Sequence, residues 1–177
     1  QNHNIYILSP LQRRLKQQTF YKKDGLYNHL KVKTGNLTKT NIIEKGISTL
    51  LIEYQYLRSI KKYISNINFD LVLYSTPPIT FVKVISYLKY RDNAITYLLL
   101  KDIFPQNAVD LKIFSENFPL YRFFRHKEKK LYEISDYIGC MSKANVDFIL
   151  KHNPEINPEN VEVCPNSIEY VDINISE

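Results

Sequence analysis

Tyr137-Ile-Gly-Cys-Met-Ser142-Lys-Ala-Asn145 and, further along, Val161-Glu-Val-Cys-Pro165-Asn166-Ser-Ile168 set the architecture of this chain. Each is a short apolar run that halts at a turn-forming or helix-starting residue, and a helix-length segment lies between them. The pair reads as strand, helix, strand, a βαβ unit that belongs in a parallel sheet. The second strand runs into Pro165-Asn166-Ser167, which reads as a turn and not as the close of a finished domain. The chain is therefore expected to be part of something larger.

The same alternation recurs upstream. Asp70-Leu-Val-Leu-Tyr74 is a buried strand that stops at Ser75-Thr76-Pro77-Pro78, where the proline pair cannot continue a central ladder but can open a helix over Ile79 to Tyr90. Ala94 to Leu100 is another strand, ending in Lys101-Asp102-Ile103-Phe104-Pro105, and a helix runs through Arg122 to Ile134. Between Ile47 and Ile64, Leu50, Leu51, Tyr54, Leu57, Ile60 and Ile64 recur at spacings of three and four, with Glu53, Arg58, Lys61 and Lys62 on the other side. That spacing predicts a long amphipathic helix. Asn4 to Leu8 and His29 to Val32 read as strands, Gln12 to Lys23 as a loop or exposed hairpin, and Glu44-Lys-Gly46 as the end of a polar connection. Near-continuous apolar strands alternating with helices predict an α/β, Rossmann-like three-layer αβα sandwich, its mainly parallel sheet covered on both faces.

With 177 residues the chain has the length of one domain, and 44% apolar with 24% charged residues is ordinary globular composition. No apolar run approaches the roughly 20 residues of a membrane span, and no charged-then-apolar signal segment is read, so neither spanning nor export is expected. Cys140 and Cys164 fall at the apolar ends of two strands and read as reduced buried thiols, which fits a cytoplasmic setting. Four glycines are too few, and wrongly placed, for a Walker loop or a dinucleotide fingerprint. His3, His29, His126 and His152 show no ligand spacing, so no metal is expected, and neither cysteine sits in a nucleophile motif. The net charge of +6 favours an anionic partner without choosing among nucleic acid, phosphorylated metabolite and acidic lipid.

Ligands of open parallel sheets bind at the carboxyl ends of the strands. Three such ends carry polar residues: Ser75-Thr76-Pro77-Pro78, Lys101 to Asn107, and Cys140-Met141-Ser142. Asp102 is read either as a turn cap or as a cleft carboxylate beside Lys101, and Ser75 and Thr76 either as sugar- or phosphate-binding hydroxyls or as turn stabilisers. Ser142 is the N-cap of the next helix, whose exposed amides can also hold an anion. Arg122, Arg125, Lys127, Lys129 and Lys130, interleaved with Phe123, Phe124, Leu131 and Ile134, read either as a helix lying on an acidic lipid surface or as a solvated face over a core.

Asp70 to Pro78, Lys101 to Ala108, Glu128 to Ser142, and His152-Asn-Pro-Glu-Ile156 with Cys164-Pro-Asn-Ser-Ile168 give the chain a resemblance to family 4 glycosyltransferases. Their order and spacing are similar to the N-terminal, acceptor-side half of that GT-B type fold, as in bacterial capsule, O-antigen and colanic-acid transferases. The resemblance implies a retaining, metal-independent enzyme that moves a sugar from a nucleotide-sugar donor to a glycan, usually lipid-linked, in surface polysaccharide synthesis at the inner face of the cell membrane. It implies a single domain over residues 1–169, lacking a first strand and helix, and the start of an interdomain linker at 170–177. The donor-binding domain lies outside this chain, so no cofactor is expected within it and the chain alone is expected to be inactive. Carried onto this sequence, Ser75, Thr76, Pro77, Lys101, Asp102 and Asn107 line the acceptor cleft, Asn166 marks the hinge, and catalytic residues are not assigned. The competing reading is a non-enzymatic α/β module for anionic ligands or nucleic acid, the latter resting on the +6 charge and the Arg122 to Lys130 cluster. Nucleic acid is not expected as a partner, and a receiver-type domain would need more strand-end acids than Asp102.

Overall fold

A computed structural model describes residues 3–113, 115 and 117–167. Seven strands and five helices follow one another as β1 (Ile5–Gln12), β2 (Phe20–Asp24), β3 (Tyr27–Thr34), α1 (Ile42–Tyr63), β4 (Leu71–Ser75), α2 (Val82–Asp92), β5 (Ile95–Leu100), α3 (Gln106–Asp110), α4 (Pro119–Ile134), β6 (Tyr137–Cys140), α5 (Lys143–His152) and β7 (Val161–Val163). The opening pair of segments forms β6, α5 and β7, paired in parallel with Ile138 opposite Val161. β4, β5, β6 and β7 lie in that order in one all-parallel sheet flanked by helices, a Rossmann-like α/β fold. The linker expected over 170–177 and Ile168 fall outside the described residues.

A second sheet has the order β1-β3-β2, with β1 parallel and β2 antiparallel to β3. Of the two readings of residues 12–23, the exposed hairpin is the one realised: Phe20 to Asp24 pairs with β3 across a turn in which Gly25 holds φ at 59°. β1 continues through Ser9-Pro10 to Gln12, beyond the expected stop at Leu8. It is the outer strand of its sheet, where a proline's missing N–H forfeits no ladder bond.

Helix starts show where tertiary partners override local signals. α1 begins at Ile42, not Ile47, because the Asn41 side chain accepts from the Glu44 amide at 2.8 Å, an N-cap with a Glu three residues on. Gly46, expected in a loop, is inside that helix, at a cost of about 1 kcal/mol relative to Ala. α2 begins at Val82, not Ile79, and its cap comes from a neighbour: buried Glu53 of α1 accepts from the Lys83 amide at 2.5 Å.

The core forms on one side of the strands. Leu98, Leu100, Ile138 and Cys140 lie beneath Ile85 of α2, Leu131 and Ile134 of α4, and Val146 and Ile149 of α5. Leu30 and Val32 of β3 lie beneath Ile52, Tyr56, Ile60 and Ile64 of α1, together with Val84 and Leu88 of α2, and Val72 and Phe81 pack against both clusters. Each fully buried aliphatic side chain contributes roughly 1.5–3 kcal/mol. The opposite face is less completely covered among the described residues. Residues opposite one another in a parallel ladder share a face, and Leu71, paired with Ile95, and Leu73, paired with Tyr97, point away from the core. Leu71, Leu73 and Ile95 remain 54%, 59% and 51% exposed.

The two sheets are not hydrogen-bonded to each other. An apolar cavity of about 440 Å³ separates β1 from β4. Tyr6, near the start of β1, and Phe69, just before β4, meet edge-to-face with ring centroids 5.3 Å apart, so both strands start at the same end.

Candidate functional site

The carboxyl ends of β4 and β5 lie side by side on one rim, and Thr76 joins them. Its amide donates to Leu99 O at 3.2 Å. Its hydroxyl oxygen accepts from the Lys101 and Asp102 amides at 3.1 and 3.2 Å and donates to Asp102 O at 3.1 Å. The two polar clusters identified in the sequence are therefore brought together. Thr76 itself is buried and its hydroxyl is fully engaged, which takes it out of the cleft lining and makes it the buckle that holds the rim. Lys101 and Asp102 are exposed, which sets the cation and carboxylate above it, without a side-chain partner among the described residues.

Ser75 and Pro77 face the apolar cavity between β1 and β4, not the polar rim. Asn107 lies in the short helix α3, half-buried, with its Oδ1 shielded from solvent and without a hydrogen-bond partner among the described residues. Ser142 caps α5, accepting from the Asn145 amide at 3.3 Å and donating to Asn145 Oδ1 at 2.8 Å. Asn166 follows β7 and is exposed. β7 is anchored on the same rim, where the Cys164 amide donates to Cys140 O at 2.7 Å.

The basic helix α4 differs from a free cationic face. Arg125 turns into the protein, donating to Glu128 Oε2 at 2.5 Å, Asn153 Oδ1 at 2.6 Å and His152 O at 3.0 Å. It clamps α4 to the end of α5. Burial pushes the Glu128 carboxyl above the ordinary glutamate range, against the lowering effects of the Tyr132 hydroxyl and the Arg125 guanidinium. Lys129 pairs with Glu155 at 3.3 Å and Lys130 with Glu133 at 3.1 Å. Lys127 lies 5.9 Å from the Phe123 ring centroid, and Arg122 is exposed. Of the five expected membrane-facing cations, three are thus committed to carboxylates of this chain. Exposed Phe118, Leu120 and Phe123 accompany them at the helix start.

Two features escaped the sequence reading. Asp136 accepts from Lys89 Nζ at 2.7 Å, the Thr96 amide at 2.9 Å and the Thr96 hydroxyl at 2.8 Å, tying α2, β5 and the α4–β6 turn. Burial raises its carboxyl, but the Lys89 ammonium and the Thr96 donors prevail and hold it below the usual aspartate value. A second cavity of about 550 Å³ lies where Thr34 and Gly35 meet α1, lined also by Arg13, Lys33, Glu44 and Gln55. The Asn41-x-x-Glu44 cap was its one signal in the sequence.

Among the described residues no cluster of three or more His, Cys, Asp or Glu is placed to hold a metal, and no helix is long and apolar enough to cross a membrane. Fold and rim together define the class, a Rossmann-like α/β domain with a cation–carboxylate pair at a strand end. Compared with known proteins, the chain matches no protein-family model and no curated protein.

Proposed function

We propose that this chain is the acceptor-side domain of a glycosyltransferase that moves a sugar from a nucleotide-sugar donor to a glycan acceptor in surface polysaccharide synthesis. The reading rests on the resemblance carried by residues 70–168 and is supported by one observation: Lys101 and Asp102 stand exposed at the end of β5, held against the end of β4 by Thr76. A carboxylate and an ammonium on a rigid rim suit a polyhydroxylated acceptor, with Asp102 accepting from sugar hydroxyls and Lys101 donating to hydroxyl or phosphate oxygens. The catalytic contribution of such a rim is positioning beside a donor held by a second domain. No metal is assigned a role. Arg122, which makes no ion pair among the described residues, and exposed Phe118, Leu120 and Phe123 favour contact with an acidic bilayer at the start of α4, in place of the ion-paired Arg125, Lys129 and Lys130.

The test is sugar transfer by the whole polypeptide. The 177-residue chain alone is expected to show no turnover with nucleotide-sugar donors. In the whole enzyme, Asp102→Asn and Lys101→Ala are expected to lower kcat/KM for acceptor by about tenfold or more, the loss of a charge-assisted hydrogen bond. The melting temperature should stay put, since both side chains are exposed. Turnover by the chain alone, or full activity in both variants, overturns the proposal.

A further inference from the structure

The carboxyl ends of β1 and β3 form a second rim, in the other sheet from the one that carries Lys101 and Asp102. In the parallel β1–β3 ladder Gln12 stands opposite Thr34, so the residues that follow, Arg13 and Gly35, leave their strands at the same place. The turns there are pinned to each other. Gln12 Oε1 accepts from the Leu37 and Thr38 amides, both at 3.3 Å, and Asn36 Oδ1 accepts from the Arg14 amide at 3.0 Å. Between this rim and the first half of α1 lies the cavity of about 550 Å³, within the size range of small-molecule sites. The carboxyl ends of parallel strands are where α/β folds build such sites.

Elsewhere the polar side chains at strand ends are consumed by the protein, as Thr76 and Ser142 are. Here several are not. Ser48, only 4% exposed, lines the cavity and makes no side-chain hydrogen bond among the described residues. A Cβ at residue 35 would fall 2.1 Å from Ser48 Oγ, so glycine is what permits this close approach of strand end and helix. Gln55 also lines the cavity, and its Oε1 is shielded and without a partner among the described residues. A turn of that amide offers the oxygen to a ligand hydroxyl. Asn41 spends its Oδ1 on the Glu44 amide and keeps its Nδ2 as a donor. Exposed Ile47 and Leu51 give the cavity an apolar wall.

Charge selects the ligand. The lining holds two cations, Arg13 and Lys33, against one carboxylate, Glu44. Glu44 is already satisfied, accepting from the Thr40 hydroxyl, Asn36 Nδ2 and Arg13. Arg13 gives it one contact at 3.3 Å and keeps its other N–H groups, while Lys33 donates at 3.1 Å to the neutral Gln18. One positive charge is left over. That excess matches a carboxylate better than a phosphate monoester, which carries about −1.5 to −2 near neutral pH.

We propose that this cavity binds a sugar acid, a hydroxylated ring bearing one carboxylate. Arg13 and Lys33 take the carboxylate, Ser48, Gln55 and Asn41 take hydroxyls, and Ile47 with Leu51 covers the C–H face of the ring. The assignment goes beyond the sugar-transfer reading and rests on different residues.

The test is isothermal titration calorimetry of the 177-residue chain with glucuronate, glucose, acetate and inorganic phosphate as probes. Glucuronate is expected to bind at least about tenfold more tightly than each of the others, because none of them joins a hydroxylated ring to a single carboxylate. Arg13→Gln and Ser48→Ala are each expected to weaken glucuronate binding about tenfold. The Arg13 side chain is 70% exposed, so the unfolding midpoint of Arg13→Gln should equal that of the parent. Three results overturn the proposal: no glucuronate binding below about 10 mM, phosphate or acetate binding as tightly as glucuronate, or undiminished binding in both variants. Failure here leaves the sugar-transfer reading standing, because binding and not turnover is read.

Discussion

Replacing Thr76 with valine isolates the joint between β4 and β5. The two side chains have nearly the same shape, so packing at this buried position is preserved and only the hydroxyl is lost. Three hydrogen bonds go with it: those from the Lys101 and Asp102 amides and the one to Asp102 O. At about 0.5–1.5 kcal/mol each, the sum is about 1.5–4.5 kcal/mol. The Lys101 and Asp102 side chains are exposed, so water reaches part of the freed peptide groups and the expected loss lies near 2 kcal/mol. With a urea slope of about 2 kcal/mol/M, the unfolding midpoint followed by circular dichroism should fall by about 1 M. Thr76→Ser, which keeps the hydroxyl, should recover most of that shift. A valine variant whose midpoint stays within about 0.2 M of the parent would refute the buckle role, because it would mean the rim is held by strand pairing alone.

Arg125→Met leaves the Glu128 carboxylate buried without its cation and Asn153 Oδ1 without that donor; removing one partner of a buried pair costs about 3–5 kcal/mol, measurable as a loss of thermal stability. Adding Glu128→Leu should recover part of it. For Asp136 the folded carboxyl sits below its ordinary value of 3.8, so its stabilisation is complete above that pH and is lost as the pH falls through the lower folded value. The stability gap between parent and Asp136→Asn should therefore be constant near neutrality and narrow in strong acid, as followed by urea titration at a series of pH values. At Gly35 an added Cβ would lie 2.1 Å from Ser48 Oγ and 2.8 Å from Ser48 Cβ, so Gly35→Ala should cost about 1–3 kcal/mol by overpacking α1 against the end of β3, read from the same titration.

Much of the fold was legible because its elements are locally coded. Ala94 to Leu100, interrupted only by Thr96, and Tyr137 to Met141 are mostly apolar runs of strand length, the pattern of a strand in a parallel sheet. The spacing of Leu50, Tyr54, Leu57 and Ile64 marked α1 as a helix but not its buried side, which runs through Ile52, Tyr56, Ile60 and Ile64; Leu50, Leu51 and Tyr54 are exposed, and Glu53, expected on the polar side, is buried because it caps α2. Element ends were less legible. Gly46 hid the Asn41 cap of α1, and the start of α2 depends on Glu53, a residue 29 positions before Val82. The proline in β1 looked like a stop, and its tolerance follows only from the strand lying at an edge.

At the site, residue chemistry drew attention to Thr76, Lys101 and Asp102, but their division of labour came from pairing. A threonine hydroxyl is equally able to meet a ligand or a peptide group, and the neighbouring strand, 25 residues away, settled that Thr76 meets peptide groups. Arg125 and Lys129 likewise read as surface charge until Asn153 and Glu155 came beside them from beyond α5. Periodicity along the chain therefore specified strands, helices and strand ends, since each depends on neighbours a few residues away. Which polar group is spent within the protein, which is left for a partner, and which face of the sheet is less covered depend on contacts between distant segments, and these exist only once the chain has folded.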